Sequence, residues 1–83
     1  MSRSMDKKIL FDIVTSSVRE VVPELESHPF ESEDDLVGLG ANSLDRAEIV
    51  NLTLEKLALN IPRVELIDAK TIGGLVDVLH SRL

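Results

Sequence analysis

The hydroxyl of Ser43 is the side chain in this sequence best placed for covalent chemistry. It closes the stretch Gly38-Leu-Gly-Ala-Asn-Ser43, where two glycines lead into a pair of helix-capping residues. That order puts Ser43 at a helix N-terminus, where unpaired backbone N–H groups meet the positive end of the helix dipole. A phosphodiester on the hydroxyl would be electrostatically welcome there. Two better-known serine settings do not fit. A hydrolase elbow needs glycine two positions after the serine, and Asp45 stands there. A phosphate-binding P-loop needs lysine just before it, and Asn42 stands there. On local physics alone, Asn42 or Ser43 simply caps a helix.

The other candidates for chemistry are sparse. His28 lies in a proline-flanked acidic loop and reads as a solvated loop residue. His80 lies near the end of the last helix, where a protonated imidazole suits the dipole. The two share no metal-ligand spacing. The acids between Glu31 and Asp35 lack the glycine and final glutamate of a calcium loop, so they read as a solvated segment. Asn51-Leu-Thr53 matches a glycosylation sequon by accident of a helical setting. With no cysteine, disulfides, thiolate catalysis and zinc–sulfur sites are excluded. No acid, base or metal set converges, so catalysis is not expected. No metal site is expected either.

The elements that must position Ser43 are helical. Ile9, Leu10, Ile13, Val14, Val18, Val21 and Val22 form one apolar stripe, capped by Ser4 or Asp6 and ended by Pro23. Periodicity then fails until Asn42. That long loop needs an anchor, which Phe30, Leu36, Val37 and Leu39 offer by pinning it across the bundle. A second helix runs from Asn42 or Ser43 to about Leu57, with Ala47, Val50, Leu54, Leu57 and Ala58 towards the core. Leu44, Ile49 and Leu52 fall outside that arc, among charged residues, as a docking surface would. Val64 to Ile67 has room for about one helical turn. Thr71 caps a last helix whose stripe is Ile72, Leu75, Val76, Leu79 and Leu83. Gly73 and Gly74 weaken its first turn but allow close approach of a neighbouring helix. No segment alternates with period two. The fold expected is all-α: one domain over residues 1–83, three main helices plus one short helix, with residues 1–4 flexible.

Charge and composition narrow the partners. Fifteen acids against nine bases give a net charge of −6, and the aromatics are two Phe with no Trp or Tyr. Nucleic acid and anionic membranes are disfavoured, and a basic protein partner is suited. No apolar run approaches the roughly 20 residues that span a bilayer. No signal-peptide pattern opens the sequence, so a cytoplasmic location is expected.

Leu39-Gly-Ala-Asn-Ser-Leu-Asp45, followed by Glu48, resembles the acyl carrier protein motif Gly-(any)-Asp-Ser-Leu. Asp34-Asp-Leu36, Ile61-Pro62 before a short helix, and Lys70-Thr-Ile72 resemble that family at the same places, so the likeness covers nearly the whole chain. The resemblance implies a carrier, not an enzyme, with 4'-phosphopantetheine attached covalently at Ser43 and acetyl or malonyl held on the arm as a thioester. It implies that Leu44, Glu48 and other exposed residues of the second helix meet partner enzymes. Ile61, Pro62 and Val64 are implied near the arm and its acyl chain, and the family suggests a monomer.

Two departures narrow the kind of carrier. Asn42 replaces the usual Asp before the serine, and Arg46 adds a positive charge where members tend to be acidic. Asn42-Ser-Leu-Asp-Arg-Ala-Glu-Ile49, with Leu59-Asn-Ile-Pro-Arg-Val-Glu-Leu66, is similar to the free-standing donor carriers of polyketide β-branching cassettes. Their partners are a phosphopantetheinyl transferase, an acyltransferase, a decarboxylating ketosynthase and a hydroxymethylglutaryl-synthase-like enzyme that takes the acetyl group. The surface that such partners would read comprises Asn42, Leu44, Asp45, Arg46, Glu48, Ile49, Leu52, Ile61, Pro62, Arg63 and Val64. A generic polyketide or fatty acid carrier is the alternative within the family. An unmodified helical interaction module, binding through its second helix, is the alternative outside it.

Overall fold

Asp6 starts the first helix, its carboxylate accepting from the Ile9 N–H at 3.0 Å. The computed structural model describes residues 6–83, so the expectations for residues 1–4 and for Ser4 as a cap lie outside the described residues. Helix α1 spans Lys7–Val21, α2 Ser43–Leu57, α3 Arg63–Ile67 and α4 Ile72–Ser81. The order and the all-helical class match the reading of the sequence, with three main helices and a short one. Helix α1 packs on both α2 and α4, and α3 bridges α2 and α4.

The core forms where the stripes meet. Leu10, Val14 and Val18 of α1 are fully buried, as are Ile49 of α2 and Ile72 of α4, with Leu36, Leu66 and Leu79 almost so. Full burial of each such side chain contributes about 1.5–3 kcal/mol, which offsets the conformational entropy of ordering a short chain. Two small polar residues of α1 are buried as well. Thr15 and Ser17 satisfy their hydroxyls within the helix by donating to the Asp12 and Ile13 carbonyls.

Several expectations are corrected at the edges of the stripes. Ile9 and Leu83 are exposed, because Ile9 stands at the edge of the stripe in the first turn of α1 and Leu83 lies past Ser81, where α4 has ended. Ala58 is exposed because the chain has already turned left-handed there (φ 54°) to end α2. Val37 is exposed too, since the loop turns tightly about Leu36 and sends the next side chain outward.

The long loop is more ordered than its composition suggests. Pro23–Leu25 makes a 3-10 turn directly after α1. Arg19 then draws the chain back, donating to the carbonyls of Glu26 and His28, with its guanidinium 4.8 Å above the Phe30 ring. His28 is therefore only partly exposed. It packs edge-on to Phe30 and sets Nε2 3.3 Å from Asp34, whose carboxylate also accepts from the Glu31 N–H. The acidic segment is a folded turn, at variance with a merely solvated one.

Beyond that turn the loop is laid along the start of α4. Leu36 N–H donates to Lys70, Ile72 N–H to Asp34 and Gly73 N–H to Ser32, around an isolated bridge between Asp35 and Thr71. A β-carbon on Gly73 would meet Ser32 at 3.0 Å, so this glycine admits the loop and not a neighbouring helix. Thr71 caps α4 by accepting from Gly74 N–H. Leu36, buried beneath these bonds, ties the loop to the core and aims the next residues at α2.

Candidate functional site

Ser43 owes its position to the tight path between Leu36 and Asn42. Leu39 N–H donates to Asp35, Gly40 N–H to Val37 and Ala41 N–H to Leu36, each at 3.0 Å. Gly40 takes φ +101°, a conformation that a side chain would strain. Ala41 is buried at the end of this turn, which fixes the direction in which α2 leaves.

Asn42, not Ser43, is the cap. Its side-chain oxygen accepts from Asp45 N–H at 2.8 Å, and the Asp45 carboxylate accepts from Asn42 N–H at 3.3 Å, closing a capping box. The cap thus leaves the Ser43 hydroxyl unused and exposed on the first residue of α2. Its neighbour is Arg46, one turn on, whose Nη2 donates to Ser43 Oγ at 3.4 Å. Arg46 Nε is shut off from solvent and has no hydrogen-bond partner among the described residues. The i, i+3 spacing that brings these side chains together is visible in the sequence, and sequence reasoning missed it.

The other expected surface residues divide into three groups. Leu44 and Val64 are exposed at 76% and 67%, large values for apolar side chains, and Glu48, Pro62 and Arg63 are exposed beside them in sequence. Leu52 and Ile61 are half-buried; Leu52 lines an open cleft with Val21, Glu48, Asn51 and Glu55. Ile49 is a correction. It is fully buried, because α2 packs against both α1 and α3 and its covered arc is wider than one stripe requires, and so it can meet no partner. Asn42 and Asp45 are accessible in part but already occupied with each other.

Sequence reasoning also missed Asn51, whose side-chain oxygen accepts from Arg63 and joins α3 to α2. Among the described residues, no group of three metal-ligating side chains converges and no helix is long and apolar enough to cross a membrane. A second cleft lies beside the start of α2, lined by Val21, Val22, Pro23, Leu39, Gly40 and Asp45.

An exposed hydroxyl on the first turn of a helix, beside a cation that has no ion pair among the described residues, fits attachment of an anionic ester. The residues present suit a phosphopantetheine arm, although Asp45 contributes an opposing charge.

Comparison with known proteins agrees. Residues 12–79 match the phosphopantetheine attachment site family. The chain is 51% identical over 79 residues to the polyketide biosynthesis acyl-carrier-protein AcpK of Bacillus subtilis (strain 168), covering 95% of this chain and 96% of that protein. Its fold superposes with a TM-score of 0.87, at 45% identity, on a chain in the crystal structure of the curacin biosynthetic pathway HMG synthase in complex with acetyl donor-ACP. That match covers 93% of this chain and 99% of the other. The chain belongs to the phosphopantetheine-attachment family and is an acyl carrier protein, a carrier and not a catalyst.

Proposed function

We propose that this carrier works in polyketide biosynthesis, bears its phosphopantetheine arm on Ser43, and presents an acetyl thioester to a hydroxymethylglutaryl-synthase-like enzyme during β-branching. The observation that carries the reading is the near full-length likeness, at 45% identity, to the structure of an acetyl donor carrier with its HMG synthase. The likeness to a polyketide carrier over 95% of the chain supports the same setting.

The arm supplies a thiol that holds the acyl group as a reactive thioester. The chain's own residues do the rest. The capping box fixes the direction of α2 without consuming Ser43, and the exposed Leu44, Glu48 and Val64 offer a surface for docking. Loading forms a bond from Ser43 Oγ to the β-phosphorus of coenzyme A and breaks the bond to the departing adenosine 3',5'-bisphosphate. The hydroxyl proton goes to a base of the transferase. An acyltransferase and a decarboxylating ketosynthase would supply the acetyl group.

The test has two stages. Incubation with coenzyme A and a phosphopantetheinyl transferase is expected to add the mass of one arm to the wild type and none to Ser43→Ala. The acetylated carrier is then expected to donate to a hydroxymethylglutaryl-synthase-like enzyme far faster than a general fatty acid carrier does. An arm on Ser43→Ala refutes the site. Equal donation by the two carriers refutes the β-branching role and leaves a generic polyketide carrier.

A further inference from the structure

Among the described residues, Arg46 supplies the side-chain hydrogen bond to the candidate attachment point, and the capping box gives it no structural task. Its Nη2 lies 3.4 Å from Ser43 Oγ, while its Nε is enclosed without a partner. The side chain is only half-exposed, so its stem is held against the protein and its charged fork is directed to the helix start. No carboxylate forms an ion pair with it among the described residues. The nearest acid in sequence, Asp45, spends its carboxylate on the Asn42 N–H.

We infer that Arg46 holds the phosphodiester of the attached arm. The inference rests on the reading that Ser43 bears that arm. Esterification removes the hydroxyl proton and turns Oγ into a weak acceptor, but sets two non-bridging oxygens that share one negative charge on the phosphorus bonded to it. The guanidinium that now donates to Oγ then meets acceptors of opposite charge, and such charge-assisted bonds are roughly twice as strong as neutral ones. The new anion otherwise arrives on a chain of net charge −6, next to the Asp45 carboxylate. Arg46 offsets that repulsion and orients the first atoms of the arm along α2. Its role is then internal to the loaded carrier, and a partner enzyme need not read it directly.

The experiment uses the full chain alone, with no synthase. Wild type, Arg46→Gln, Arg46→Met and the control Lys8→Gln, an exposed cation at the end of α1 away from Ser43, are loaded with coenzyme A and a transferase, and loading is checked by intact mass. Phosphorus-31 NMR then reports the surroundings of the phosphodiester. Both Arg46 variants are expected to move the resonance away from its wild-type position, and Lys8→Gln to leave it in place. Thermal unfolding gives a second readout: the change in Tm on loading is expected to be a few °C less favourable without Arg46. Arg46→Met preserves the packed stem, which separates loss of the donors from loss of packing. Loaded Arg46 variants whose phosphorus resonance coincides with wild type overturn the inference while leaving Ser43 as the attachment site. Absence of any arm on the wild type overturns both.

Discussion

Asn42 and Ser43 divide two tasks that one residue cannot perform together. A helix cap must turn its side chain back to the backbone, whereas an attachment point must present its oxygen to an enzyme. Asn42 takes the first task through its bond from Asp45 N–H, which leaves the Ser43 oxygen outside. Replacing Asn42 by alanine removes one half of the capping box and is expected to cost about 0.5–2 kcal/mol, read as a lower urea midpoint at unchanged slope. A residue buried far from this site makes the opposite prediction. Thr53 is 3% exposed, and its hydroxyl has no hydrogen-bond partner among the described residues. An unsatisfied buried hydroxyl costs about 1–3 kcal/mol, whereas a methyl of the same shape costs nothing of the kind. Thr53→Val is therefore expected to raise stability, seen as a Tm several degrees above wild type. An unchanged or lower Tm would mean that the hydroxyl finds a partner in solution.

At the scale of elements, the decisive contact is between the long loop and the start of α4. Gly73 permits it, because its N–H donates to Ser32 at 2.8 Å and a β-carbon there would stand 3.0 Å from the same backbone oxygen. Helix propensity favours alanine over glycine by about 1 kcal/mol. Overpacking against a backbone costs about 1–3 kcal/mol and should win. Gly73→Ala is expected to destabilise the chain in urea, and a gain in stability would show that the loop yields easily. The helices themselves were legible in the sequence, since each carries a stripe or a cap that local spacing reveals. The loop was less so. Leu36 is recognisable as an anchor, but the part played by Arg19 depends on carbonyls seven and nine residues away, which no periodicity encodes. The same limit explains the misplacement of Ile49. A single helix shows which residues share a side, but the width of the buried arc depends on how many elements cover it. Around Ser43, the turn and the helix start were legible from Gly40 and Asn42, and the Arg46 contact is encoded in its i, i+3 spacing from Ser43.

Across the whole molecule, α3 is the least supported helix, and its stability should differ from the rest. It has five residues, and Pro62 at its start offers no side-chain cap. A helix so short does not hold by its own hydrogen bonds, since nucleation is unfavourable and propagation has little length over which to repay it. What holds it is Leu66, buried beneath it, with a bond from Arg63 to Asn51 of α2 and an ion pair between Glu65 and Arg82 just past α4. The Arg63–Asn51 bond is exposed and the ion pair is partly open to solvent, where such a pair contributes about 1 kcal/mol or less. The three long helices, by contrast, share the core made by Leu10, Val14, Val18, Ile49, Ile72 and Leu79. Native-state hydrogen exchange is therefore expected to separate two levels. Core amides of α1, α2 and α4 should exchange only by global unfolding, and those of α3 by a local opening of lower free energy. Arg82→Ala should speed exchange in α3 while leaving the long helices nearly unchanged. Equal protection of α3 and α1 would make the molecule a single cooperative unit. A separately opening α3 would instead let the edge bearing the exposed Val64 change shape without loosening α2, where Ser43 is held.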